Sequence, residues 1–176
     1  MKNHQHINAD SGSDEYFTPG NIIECARLVL GRIDLDPASS LEANATVQAD
    51  RFFTIADDGL HQEWGGRIWM NHPFGRKTNK PWVDKLVSEY RAGRVTEAVC
   101  ITFAATSEQW FRPLLYEVQC YLHGRTNYYL PDGTLKRGVT KGSVLTYFGP
   151  APCLFAEAFR KTGTVKSPWS YAGGRP

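Results

Sequence analysis

The sequence predicts an α/β fold: an open, mostly parallel, Rossmann-like sheet with helices on both faces. Three observations lead there. Segments of strand length alternate with segments of helical period through the middle of the 176-residue chain. The run from Glu97 to Ala105 is almost continuously apolar, as expected of a central strand covered on both faces. Polar, turn-forming clusters directly follow three of the strand segments, and ligands in such sheets sit beyond the carboxyl ends of the strands.

Each element has its own signal. Thr18 reads as the cap of a first helix and Pro19 suits its first turn. Ile22, Ile23, Ala26, Leu28, Val29 and Leu30 supply the apolar side, and Gly31 ends it. Residues 32–40 read as a short strand that breaks at Pro37, 40–48 as a short helix or turn, and 51–55 as a second strand. A polar loop with one helical turn covers 56–64, and 66–70 form a third strand. Pro81 opens a helix in which Trp82, Val83, Leu86, Val87 and Tyr90 recur at helical spacing, and Gly93 stops it. After the apolar strand, Thr106 and Gln109 have the spacing of a capping box for a helix over 107–117. Residues 118–124 and 141–149 read as strands, and 154–163 as a final helix or a loop beside the sheet. One domain spans 15–165, with tails at 1–14 and 166–176 and a small recognition insert at 124–142.

Composition narrows the classes. Hydrophobic residues make up 41% of the chain, enough for a core, and the formal charge is only +2. Contact with nucleic acid must therefore use local patches rather than a global positive field. Cys25, Cys100, Cys120 and Cys153 form no C-x-x-C pair and no zinc spacing, so they read as buried, reduced thiols of a cytoplasmic protein. Residues 1–14 carry no apolar run of a signal peptide, and no segment is built to cross a bilayer. His4 and His6 lie in the polar tail, while His61 and His123 read as structural. No metal is expected.

The stretch Asn71-His72-Pro73-Phe74-Gly75 closes the third strand. Asn, Pro and Gly are ordinary turn residues, so a plain turn is the bland reading. The chemical reading begins from reactions that need an amide oxygen, a nearby main-chain carbonyl and an aromatic face. Methyl transfer to the exocyclic amine of a nucleobase is one. The lone pair of that nitrogen is delocalised into the ring. Acceptors on its two hydrogens, the Asn71 side-chain oxygen and the His72 carbonyl, favour a pyramidal nitrogen and free the lone pair. Phe74 can stack on the base. Pro73 fixes its own φ and holds His72 extended, and Gly75 permits a sharp exit. Two more clusters join this one on the predicted rim: Asp36-Pro37-Ala38-Ser39 and Asp57-Asp58-Gly59. Of Asp34 and Asp36, two residues apart on a strand, Asp36 beside Pro37 is the candidate.

The tetrapeptide resembles the Asp/Asn/Ser-Pro-Pro-aromatic motif of S-adenosylmethionine-dependent amino-methyltransferases. More of the chain is similar to one branch, the phage DNA N6-adenine methyltransferase (Dam-like) family. The similar pieces are residues 14–19, 35–39, 43–60 and 64–75, followed by Trp82. The resemblance implies a methyltransferase sheet and an adenine-specific enzyme that flips its target base from duplex DNA. It also implies roles. Tyr16, Thr18 and Pro19 would contact the methionine part of the cofactor. Asp36, Pro37 and Ala38 would turn around it, and Asp57, Asp58, Gly59 and Leu60 would lie near its adenosine. Asn71, His72, Pro73 and Phe74 would be catalytic, with Asn71 also at the cofactor. It further implies a phage or prophage protein in a bacterial cytoplasm, shielding a genome from restriction. Two features depart from the pattern. His72 replaces the first proline of the motif, and no G-x-G turn follows the first strand.

Arg76, Lys77 and Lys80 follow the motif, and Arg125, Lys136, Arg137 and Lys141 cluster before the last predicted strand. They are solvated charges or phosphate contacts. Tyr128 and Tyr129 are candidates to read or wedge the duplex, while Trp110 and Phe111 read as core. Other functions remain open from the residues: a cytosine-N4 methyltransferase, an inactive relative that binds DNA or cofactor, and a metal-dependent nuclease using Asp36, Asp57 or Asp58 with His72.

Overall fold

The computed structural model describes residues 16–130, 133–136 and 139–168. The expected amino-terminal tail, Arg137 and most of the expected carboxyl-terminal tail lie outside them. Among the described residues, seven strands form one sheet in the order β2-β1-β3-β4-β6-β5-β7. They are β1 (Leu35–Asp36), β2 (Arg51–Phe52), β3 (Gly66–Met70), β4 (Val95–Phe103), β5 (Val118–Leu122), β6 (Ser143–Phe148) and β7 (Gly163–Lys166). β2, β1, β3 and β4 are parallel neighbours. β6 runs antiparallel between β4 and β5, and β7 runs antiparallel on the edge of β5. The fold is the expected open α/β sheet with helices on both faces.

Strand alternation divides the core in two. Trp69, Val99, Ile101, Leu145 and Tyr147 face one side, with helices α1 (Gly20–Leu30) and α4 (Pro152–Phe159). Ile68, Met70, Ala98, Cys100, Val144 and Phe148 face the other, with α3 (Asn79–Arg91) and the 3₁₀ segment Gln109–Tyr116. The long strand β4 contributes to both clusters, as its unbroken apolar run requires.

Several local expectations are corrected. Thr18 does not cap α1: the helix begins after Pro19, whose carbonyl accepts from the Ile22 N–H, and Thr18 is turned inward. Leu28 is exposed, because Ile22, Ile23, Ala26, Val29 and Leu30 already complete the buried stripe. α3 starts at Asn79 rather than Pro81, which occupies the first turn, where an N–H has no intrahelical partner in any case. The capping box of Thr106 and Gln109 does not form. Pro113 lacks the N–H that would bond residue 109 and crowds its carbonyl, so the segment winds as 3₁₀ behind Glu108. Lys166 is not in a loose tail but pairs with Gln119 in β7. The four thiols are free, yet Cys153 is exposed on α4, whereas burial pushes Cys100 up to about 12.

α2 (Leu41–Val47) fits its sequence closely. Ser40 accepts from the Ala43 N–H at 3.1 Å as its N-cap, and Gln48 closes it in the left-handed conformation. The helix thus stands directly after the β1 turn.

Candidate active site

Because β1, β2 and β3 are parallel neighbours, their carboxyl ends open on one edge. A cleft of about 900 Å³, counted out to its open mouth, lies there. Its wall includes Tyr16 and Thr18, Asp36, Pro37 and Ala38, Asp58 and Gly59, and Asn71, His72 and Pro73. All four segments singled out in the sequence meet in it. Pro19, Asp57, Leu60 and Phe74 are not in the wall. Pro19 begins α1, and Asp57 turns back to accept from the Thr54 N–H and hydroxyl at 2.8 and 2.7 Å. Leu60 packs against the α3 side of the core. Gly59 shows why two of the segments touch: a Cβ there would lie 2.0 Å from the Pro37 carbonyl oxygen.

Asp36 is 2% exposed. Burial pushes its carboxyl up to about 7, and the Ala38 N–H and Ser39 hydroxyl pull it back only in part. Asp34 is not in the cleft wall and is a structural group, accepting from the Arg67 N–H at 2.8 Å and pairing with Arg32 and Arg67. Asp58, in the left-handed conformation, spends its carboxylate on His61 at 2.6 Å.

Asn71 is oriented by its own nitrogen. Its Nδ2 donates to the Tyr16 carbonyl at 2.5 Å. A carbonyl only accepts, so the NH₂ must face it and Oδ1 must point the other way. That oxygen is buried and has no hydrogen-bond partner among the described residues. The loop behind it is pinned by Thr78, whose hydroxyl donates to the Pro73 carbonyl at 2.7 Å and accepts from the Gly75 N–H at 2.8 Å.

His72 is 1% exposed, and burial pushes its ring down to about 4 against the raising effect of Asn79. Its Nε2 meets Asn79 Oδ1 at 3.0 Å, and its ring stacks on Trp82 with centroids 6.4 Å apart. Phe74 is enclosed by other rings: Phe103 at 4.6 Å, Tyr128 edge-on at 5.7 Å, and Tyr16 near-parallel at 6.1 Å.

The cations near the motif differ in setting. Arg76 and Lys77 are exposed, and Lys80 pairs with Asp84 at 2.5 Å. Arg125 is exposed beside Gly142. Lys136 and Lys141 lie over the rings of Tyr16 and Phe103 at 5.8 and 5.4 Å. Both therefore border the aromatic cluster around Phe74. The segment that carries them is tied to the amino-terminal strap by paired hydrogen bonds between Phe17 and Tyr129. Tyr128 is buried and its hydroxyl meets Ser143 at 2.8 Å, so it packs the core and does not face a duplex; Tyr129 is the more exposed of the two.

The family model for DNA N-6-adenine-methyltransferase (Dam) matches residues 5–152. The chain belongs to this family. It is thus a methyltransferase, and an enzyme, of a family that acts on DNA. Comparison with curated proteins gave no match. Among solved structures, a Pyrococcus horikoshii protein described as a "putative RNA methyltransferase" is similar at 14% identity and a TM-score of 0.47, covering 81% of this chain and 90% of that one. Among the described residues no group of three or more His, Cys, Asp or Glu is placed to hold a metal, and no helix is long and apolar enough to cross a membrane.

The sequence reading missed part of this wall. Ala43 and Thr46 come from α2, Ile55 from the β2 loop, Trp69 from β3 and Trp82 from α3. Trp82 has a signal in retrospect. It falls in the first turn of the helix that follows the motif, and such a turn packs beside the strand end it departs from. Trp69 carries none, since a strand-interior Trp reads as core.

Proposed function

We propose that this methyltransferase uses S-adenosylmethionine to methylate the exocyclic N6 of adenine in DNA, with the target base flipped from the duplex. The observation that carries the reading is Asn71 Oδ1, a buried acceptor at the cleft that has no partner among the described residues and whose direction is set by Tyr16.

The cleft suits the cofactor's chemistry. Four buried polar atoms without partners among the described residues belong to its wall: Thr18 Oγ1, Trp69 Nε1, Asn71 Oδ1 and His72 Nδ1. The Trp69 N–H and the Thr18 hydroxyl are donors of the kind a carboxylate requires, and Asp36 is a counter-charge for an ammonium. Trp82, Pro37 and Ile55 also line the cleft and would offer a purine apolar surface. When bound, S-adenosylmethionine supplies an electrophilic methyl group on a sulfonium.

The remaining work falls to the chain. Asn71 Oδ1 and the His72 carbonyl accept the two hydrogens of the target amine and localise its lone pair. The lost proton leaves to solvent after transfer, so neither acceptor needs to be a strong base. Pro73 and Thr78 hold both acceptors still. Phe74 offers a stacking face once the Tyr16 strap and its paired segment shift, and Arg76, Lys77, Arg125, Lys136 and Lys141 take phosphates.

The test is transfer of labelled methyl to unmethylated duplex DNA, with chelator present, Asn71→Ala in parallel and the nucleosides identified after digestion. Label in N6-methyladenine that disappears in the variant is expected. Label in N4-methylcytosine would retain the acceptor chemistry and change the base. No label on any DNA, despite cofactor binding, would refute catalysis.

A further inference from the structure

His72 stands where the family motif has proline, and a proline ring has no polar atom. The exchange puts an imidazole in the cleft wall. Asn79 Oδ1 is an acceptor, so the Nε2 it meets at 3.0 Å carries the hydrogen. The neutral ring then has a bare lone pair on Nδ1. That atom is buried and without a partner among the described residues. An acceptor left this way is costly unless something in the cleft donates to it.

The place of the ring says which donor. Asn71 is tied to Tyr16, at the strap end of the cleft. The His72 ring meets Phe74 edge-on at 5.6 Å and stacks on Trp82, and Trp82 in turn approaches the position a Cβ on Gly59 would take, at 3.2 Å. Pro37, Gly59 and Trp82 come together there, and their flat, apolar surface suits a heterocycle rather than an amino-acid group. Burial also holds the ring far below ordinary histidine values, so it stays an acceptor through the physiological range.

We propose that His72 reads the amine of the bound cofactor: Nδ1 accepts a hydrogen bond from the 6-amino group of its purine, so that the chain selects a 6-aminopurine. This rests on the reading of the cleft as an S-adenosylmethionine site. His72 is then a specificity residue for the cofactor, through its side chain, while its carbonyl serves the target base.

The experiment is calorimetric binding of S-adenosylhomocysteine and of its counterpart with hydrogen in place of the 6-amino group, to the full chain and to His72→Phe. The wild type is expected to prefer the amine roughly 10- to 100-fold, the range for leaving a buried acceptor unpaired, and His72→Phe to bind both about equally. Because that variant can fail to fold, the wild type is also followed by ¹⁵N NMR. Nδ1 is expected unprotonated in the free protein and shifted upfield by S-adenosylhomocysteine but not by the deaminated ligand. Equal, tight binding of both ligands by the wild type would overturn the proposal and leave the cofactor site standing. So would a preference that survives in His72→Phe, or a proton found on Nδ1. Failure of the wild type to bind either ligand would overturn the site and the proposal together.

Discussion

Asp36 is buried and Asn71 half-buried at neighbouring strand ends, and in the proposed reaction they would act through opposite means. Asn71 is neutral at every pH, and its value lies in direction. Asn71→Ala is expected to lower methyl transfer about 10²- to 10³-fold, as loss of one positioned transition-state hydrogen bond does. Binding of S-adenosylhomocysteine by calorimetry should change little. Asp36 acts through charge, and its carboxyl titrates at about 7 rather than the ordinary 3.8. Affinity for a cofactor that carries an ammonium should therefore rise as pH increases through about 7, and that rise should be absent in Asp36→Asn. Stability runs the other way. Between 3.8 and about 7 the unfolded chain has released a proton that the folded chain keeps. The contribution of Asp36 to stability thus falls across that window and is level above it. Melting temperature of the wild type relative to Asp36→Asn should decline over the same interval.

At the scale of elements, Thr78, the residue before α3, holds the loop that follows β3. Thr78 bonds both Pro73 and Gly75, so Thr78→Val should reduce kcat by roughly 10- to 100-fold through misplacement of the acceptors. Far-ultraviolet circular dichroism and cofactor affinity should be near those of the wild type. The elements themselves were largely legible. The apolar run of β4, the Ser40-capped α2 and the spacing of Leu86, Val87 and Tyr90 each carry a local signal strong enough to name an element. What failed was chemistry that depends on a neighbour. Thr106 and Gln109 have the spacing of a cap, but Pro113 forbids the α-helix they would cap. β7 has four residues and no periodicity to read; pairing with β5 makes it a strand. At the site, the rim clusters were visible because polar residues after a strand have few other reasons to be there. Trp69 was not, because its ring belongs to the core and only its Nε1 concerns the cleft.

At the scale of the molecule, the sheet leaves three strand ends so close that the turns after them share space. Gly59→Ala would drive a methyl group into the Pro37 carbonyl, 2.0 Å away. It should cost about 1–3 kcal/mol, about 2–4 °C in Tm for each, and weaken cofactor binding with it. The small net charge has its own consequence. A chain at +2 has no long-range field to draw DNA, so phosphate contacts must account for the electrostatic attraction. The slope of log affinity against log salt should shrink by about 0.9 for each of Lys136→Ala and Lys141→Ala.

Those two lysines flank a device whose meaning is geometric. Tyr16 lends its carbonyl to Asn71 and its ring to Phe74. Whatever displaces the ring also disturbs the carbonyl, so arrival at one place is felt at the other. A sugar, a phosphate or a water molecule has no flat face with which to replace Tyr16 against Phe74, and gains nothing by trying. The strap thus couples the face of Phe74 to the direction of Asn71, as the arms of a turnstile are coupled through one post.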